Sequence, residues 1–104
     1  MPLRVTYPTA IVMLAVSRGV CYGFDIMDAS GLHSGTVYPI LRRLEAAGML
    51  RSRWEAVGDA RDEQRPPRRY YQITGAGLRE LRDALDRFPG LAGTVGTAGS
   101  PARA

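Results

Sequence analysis

The chain contains no lysine, one cysteine, one histidine and one tryptophan. The single Cys21 excludes an internal disulfide framework and fits a reducing cytoplasm. One cysteine and one histidine cannot build a zinc site, so no metal and no other cofactor is expected. No apolar run approaches the roughly 18 residues that a membrane helix needs. The opening MPLRVTYPTAIVML has one early Arg and a short apolar run but no small-residue cleavage site, so it reads as a first helix and not as a signal peptide. There is no nucleophile–base pair, no pair of carboxylates in an apolar setting and no phosphate-cradling glycine loop, which argues against an enzyme.

What is present is arginine. All fourteen basic residues of the 104 are Arg, and the net charge is +4. Guanidinium forks suit phosphate and guanine edges. A GC-rich genome also enriches arginine, so distribution decides more than content. Eight of the fourteen lie between Arg42 and Arg69. A basic patch confined to one region is the electrostatic footprint of a nucleic-acid binder.

The stretch from Ser34 to Leu50, SGTVYPILRRLEAAGML, predicts an amphipathic helix. Val37, Ile40, Leu41, Leu44 and Ala47 share one face, while Thr36, Arg42, Arg43 and Glu45 lie off it. Gly48 is placed to end it in a left-handed conformation. Pro39 is tolerable only within the first turn, where backbone donors are unpaired anyway. Upstream, Tyr7-Pro8 opens a first helix. Its core, Ala10 to Val16, is apolar all round, which implies burial on more than one side, more than so small a domain supplies. Tyr22 to Ser30 forms a second short helix, and SGLHSG makes the tight turn of a helix-turn-helix, with His33 or Ser34 as cap of the next helix.

After Gly48, MLRSRWEAV and RRYYQI read as two strands around the polar loop GDARDEQRPP. The second strand places Tyr71 and Ile73 on one face and Tyr70 on the other. Thr74 caps a last helix with the stripe Leu78, Leu81, Leu85 and Phe88. Arg79–Asp83, Arg82–Asp86 and Asp83–Arg87 are spaced for ion pairs along it. The expected fold is mainly α with a small β-wing. A winged helix-turn-helix occupies 1–74, a C-terminal dimerisation helix 75–89, and a Gly/Ala/Thr-rich disordered tail 90–104.

Four pieces, YGFDI (22–26), GTVYPILRRLEAAGML (35–50), SRWE (52–55) and RRYYQITGAG (68–77), together strongly resemble the PadR-like transcriptional regulators. The resemblance spans roughly residues 8 to 88. It implies a winged-helix homodimer that represses transcription from a pseudo-palindromic operator. Some members release DNA when a phenolic or drug-like effector binds. The single C-terminal helix resembles the compact branch of the family. Some compact members line a drug pocket with a Trp on that helix; here the only Trp is Trp54, before the wing.

Candidate DNA contacts follow. Thr36 and Tyr38 match the family's GT-x-YP string near the start of the recognition helix, where hydroxyls and the helix N-terminus reach phosphate. Arg42, one turn beyond Tyr38, is the best candidate for reading a base or contacting phosphate. Arg43 sits about 100° further round, with Asp25 or Glu45 as possible partners. His33 and Ser34 cap the helix or touch phosphate. In the wing, Arg65, Arg68 and Arg69 are the candidates for backbone or minor-groove contact; Arg61 lies with them among acids, whereas Arg68 and Arg69 have no acid beside them in sequence. Cys21 reads as a small buried hydrophobe more readily than as a redox sensor.

The expected partners are double-stranded DNA and a second copy of the chain, held by Ile11, Leu14, Leu78, Leu81, Leu85 and Phe88, with a small-molecule effector possible and no membrane. The competing reading is a winged helix used as a protein-interaction or dimerisation module. Salt separates the two, because phosphate neutralisation gives DNA affinity a steep salt dependence.

Overall fold

The computed structural model describes residues 4–56, 64 and 67–95. Among these, α1 (Tyr7–Ser17), α2 (Gly23–Ser30) and α3 (Ser34–Ala46) precede a hairpin of β1 (Leu50–Trp54) and β2 (Arg69–Ile73). Helix α4 (Gly75–Arg87) and a single 3-10 turn (Leu91–Gly93) follow. The order helix, helix, turn, helix, strand, strand, helix is a winged helix, mainly α as expected.

Pro8 lies in the first turn of α1, where a missing N–H leaves nothing unpaired. Every side chain from Thr9 to Val16 is buried. The surrounding surface comes from the same protomer: α1 packs against α2, α3, β2, α4 and the 3-10 turn. The expectation that α1 needs a second chain to cover it is therefore corrected. Ile11 is 7% exposed and Leu14 4%, so neither is open for an interface. A helix encircled by five short elements is covered even in a small domain.

The segment after α4 completes that ring. The expectation of disorder from residue 90 fails for its first part, because Leu91 and Val95 are core residues. Gly90, at φ 87°, turns the chain back after α4. The Arg18 guanidinium then donates to the Val95 carbonyl at 2.7 Å. Residues 96–104 lie outside those described.

Helix α3 ends in a Schellman motif. Met49 N donates to the Leu44 carbonyl at 2.9 Å and Gly48 N to Glu45 at 3.0 Å, with Gly48 at φ 75°. Ala47, placed on the packed face by its spacing, is the exposed cap residue instead. The Thr74 hydroxyl donates to the Gly48 carbonyl at 2.7 Å and accepts from Gly77 N at 3.1 Å. One threonine thus caps α4, as expected, and ties it to the end of α3. Gly77 lies against the Met49 carbonyl, and a Cβ there would stand 2.7 Å from Ile73 Cγ1. Of the three ion pairs spaced along α4, only Arg87–Asp83 closes, at 3.6 Å.

The hairpin is antiparallel, in the register Leu50↔Ile73, Ser52↔Tyr71 and Trp54↔Arg69. A third short edge, unforeseen from sequence, joins it: Tyr71 N donates to the Cys21 carbonyl at 2.8 Å and Tyr22 bridges Tyr70. The wing is thereby anchored to the start of α2. No helix among the described residues is long and apolar enough to cross a membrane.

Candidate nucleic-acid interface

Helix α3 buries Val37, Ile40, Leu41 and Leu44 and turns Ser34, Thr36, Arg42 and Arg43 outward. It begins at Ser34, so Pro39 is its sixth residue and lies past the first turn, contrary to expectation. Pro39 has no N–H to donate to the Gly35 carbonyl four residues back, and Gly35 is exposed, so water can take that place. Gly31, at φ 73°, makes the tight turn before α3. His33 occupies the N-cap position, but neither its side chain nor any other caps the helix. The first backbone donors of α3 therefore face outward at the positive end of the helix dipole.

Tyr38 packs across the turn. Its hydroxyl stands 2.6 Å from where a Cβ at Gly23 would be, so any larger residue there would displace the tyrosine ring. It remains partly exposed at the head of α3.

The two wing arginines are not free, which corrects the expectation drawn from their sequence neighbours. Arg69 Nη2 donates to both carboxylate oxygens of Glu45 at 3.2 Å, and its Nε donates to Ser52 Oγ at 2.8 Å. Ser52 Oγ in turn donates to Glu45 Oε2 at 2.5 Å. This triad clamps α3 to both strands. Arg68 lies 3.7 Å over the Tyr22 ring and pairs with Glu55 at 3.8 Å. Register explains both corrections, because the acids arrive from α3 and from beyond β1, not from the neighbouring loop. Glu45 is consumed by Arg69, and Asp25 forms no ion pair with Arg43. Among the described residues Arg42 and Arg43 have no carboxylate partner. Arg61 and Arg65 lie outside the described residues.

Between the start of α2, the outer side of α3 and the hairpin lies a cleft of about 580 Å³. Phe24 and Trp54 stand on its rim, 72% and 65% exposed, with Arg42 between the helix and the hairpin. Sequence reasoning missed these two aromatics. The available signal was that Trp54 shares a strand face with Ser52, which bonds to Glu45 of α3. Tyr71, on the cleft floor, is held protonated: burial pushes its hydroxyl up and the Arg69 charge only partly opposes this. Burial, then the Asp25 carboxylate, pushes the Cys21 thiol up as well, which disfavours a reactive thiolate.

A helix-turn-helix whose second helix, α3, presents exposed guanidinium groups beside a clamped β-hairpin defines the class of winged-helix DNA-binding regulators. The model of the Transcriptional regulator PadR-like family matches residues 12–83. The chain belongs to that family, whose members are transcriptional regulators and not enzymes. Among solved structures, it is similar to a PadR-like transcription factor from Bacteroides fragilis, with 28% identity over 83% of this chain and 84% of that one and a TM-score of 0.65. A PadR family regulator from Eggerthella lenta is 32% identical over 78% of this chain and 73% of that one, at a TM-score of 0.60. A third, from Clostridium difficile, is 22% identical over 79% of this chain and 86% of that one; its TM-score of 0.69 speaks for the fold alone. No curated protein matches the chain.

Proposed function

We propose that this regulator is a cytoplasmic repressor that binds a pseudo-palindromic operator as a homodimer. The observation that carries the DNA reading is the outer side of α3, with no side-chain cap at its N-terminus and with Arg42 and Arg43 exposed and without a carboxylate partner among the described residues. In this reading α3 enters the major groove. Ser34, Thr36, His33 and Tyr38 approach phosphate near its N-terminus, and Arg42 reaches a base edge. Arg43 and the wing residue Arg65 add backbone contacts. Arg68 and Arg69 act by positioning the hairpin, since each already holds an acid. Dimerisation uses the outer edge of α4, where Leu78 is 37% exposed and Leu85 and Phe88 are half-buried. A two-fold dimer would set two α3 helices about 34 Å apart, or a small multiple, and the operator would be an inverted repeat.

The test is Arg42→Ala in operator binding measured across a salt series. A lost base contact weakens the operator by about 1–3 kcal/mol and relaxes one position of the site. Operator affinity equal to wild type at low and high salt would remove α3 from the interface. A wild-type chain with no salt-dependent affinity for duplex DNA would point to a protein-interaction module instead.

A further inference from the structure

The hairpin keeps one side open. Thr74 N donates to the Met49 carbonyl at 3.0 Å and Glu55 N to the Arg68 carbonyl at 2.7 Å. These pairs set the alternation along the ladder. The backbone of Arg51 and Arg53 therefore bonds to β2, while the N–H and C=O groups of Ser52 and Trp54 point the other way. The far side of β2 is already used, by Tyr71 N on the Cys21 carbonyl. Among the described residues β1 pairs with β2 alone, so its outer edge has no strand beside it. Ser52 reaches Glu45 of α3, which places Arg51 and Arg53 on the opposite face. Both are exposed, and neither has a carboxylate partner among the described residues. Arg53 packs 4.6 Å from the Tyr70 ring centre. With Ser52, Tyr70 and Gln72, the two arginines line a groove of about 440 Å³.

We propose that this edge takes up an extended acidic segment of a partner protein as a further strand of the sheet. An added strand offers donors and acceptors to the Ser52 and Trp54 backbone, whereas a phosphate backbone offers acceptors only. Arg51 and Arg53 stand two residues apart on one face, about 7 Å along the strand, which is the repeat of alternate side chains in an extended segment. Carboxylates at alternate positions therefore meet both guanidinium groups as cross-strand pairs of opposite charge. The residues between them fall on the face of the exposed Trp54 indole, which suits apolar side chains. A second copy of β1 does not fit this edge. Its outward backbone groups belong to even-numbered residues, so antiparallel pairing of two copies sets Arg51 of one opposite Arg53 of the other. Like charges directly opposite are destabilising, and charged edge strands guard against such self-pairing. The docking uses none of the residues placed on DNA above and does not rest on that reading.

The test uses the full chain and a synthetic peptide of alternating Val and Glu. Added peptide should slow amide hydrogen exchange at Ser52 and Trp54 more than at Arg51 and Arg53, whose amides β2 already protects. Replacing Glu by Gln in the peptide should weaken binding about fivefold, as expected of two exposed cross-strand charge pairs. Methylating the peptide's backbone nitrogens that face the edge should abolish binding. The double variant Arg51→Gln, Arg53→Gln should bind the Glu and Gln peptides alike. Both arginines are exposed, so the core stays intact. Binding that tolerates backbone methylation, a preference for Glu that survives the double variant, or unslowed exchange at Ser52 and Trp54 would each overturn the proposal. Two further results would give the edge to another occupant and overturn it as well. Loss of about two units of the salt slope for duplex DNA in the double variant, with no peptide bound by wild type, would assign the arginines to phosphate. Exchange at Ser52 and Trp54 that slows with protein concentration alone would assign the edge to a second copy.

Discussion

Replacing Arg69 or Glu45 by Ala distinguishes a positioning arginine from a DNA-contacting one. Arg69 bridges both oxygens of Glu45 at 3.2 Å and Ser52 at 2.8 Å. The two charged side chains are 43% and 34% exposed, so solvent screens the ion pair to about 0.2–1 kcal/mol. The Arg69–Ser52 hydrogen bond, worth about 0.5–1.5 kcal/mol, is lost with Arg69 whether or not Glu45 is present, so it cancels in a double-mutant cycle. Such a cycle in urea should therefore give a coupling of about 0.2–1 kcal/mol. The effect on DNA follows from the same geometry. If the arginine acts by holding the hairpin against α3, either substitution lowers operator affinity, and the salt slope stays close to wild type. If it instead neutralises a phosphate, Arg69→Ala alone lowers affinity and removes about one unit from the slope. Glu45→Ala, by freeing the guanidinium, then raises affinity. Opposite signs for the two variants, with the reduced slope, would refute the clamp.

Gly77→Ala should destabilise the fold by about 1–3 kcal/mol, seen as a lower thermal midpoint, because the new Cβ meets the Met49 carbonyl and Ile73; an unchanged midpoint would mean that α4 does not lie so close. The Cys21 thiol should react with iodoacetamide more slowly than free cysteine at mildly alkaline pH, since a raised pKa lowers its thiolate fraction. The folded state then holds that proton more tightly than the unfolded chain, so stability should fall as pH rises through the ordinary thiol range, and a thiol titrating at or below the free value contradicts this. Leu78→Asp, on the exposed edge of α4, should leave a folded monomer with weakened DNA binding, whereas Leu81→Asp, at 4% exposure, should unfold the protomer. A wild-type monomer at micromolar concentration in light scattering rules the dimer out.

The helices and the hairpin were legible because their signals are local. The 3.6-residue spacing along α3, Pro8 in the first turn of α1, Gly31 and Gly48 at left-handed positions, and Thr74 as a cap all act within a few residues of where they appear. The covering of α1 was not legible. Apolar content on every side says that the helix is buried, but not by what. The answer depends on α4 and on Leu91 and Val95 returning from the far end of the chain. A stretch rich in Gly, Ala and Thr hides two core residues because composition averages over them.

The wing arginines failed for a related reason. Arg69 and Glu45 are 24 residues apart, and Arg68 and Glu55 are 13 apart. Both pairings follow from the hairpin register, in which Trp54 faces Arg69 and Ser52 faces Tyr71. Freedom from acids in sequence therefore says little about freedom in space. Once β1 and β2 are in register, two of the three guanidinium groups that line the cleft are paired with acids, and of those three only Arg42 has no carboxylate partner among the described residues. In the DNA reading proposed above, that shifts the weight of recognition from the wing to α3.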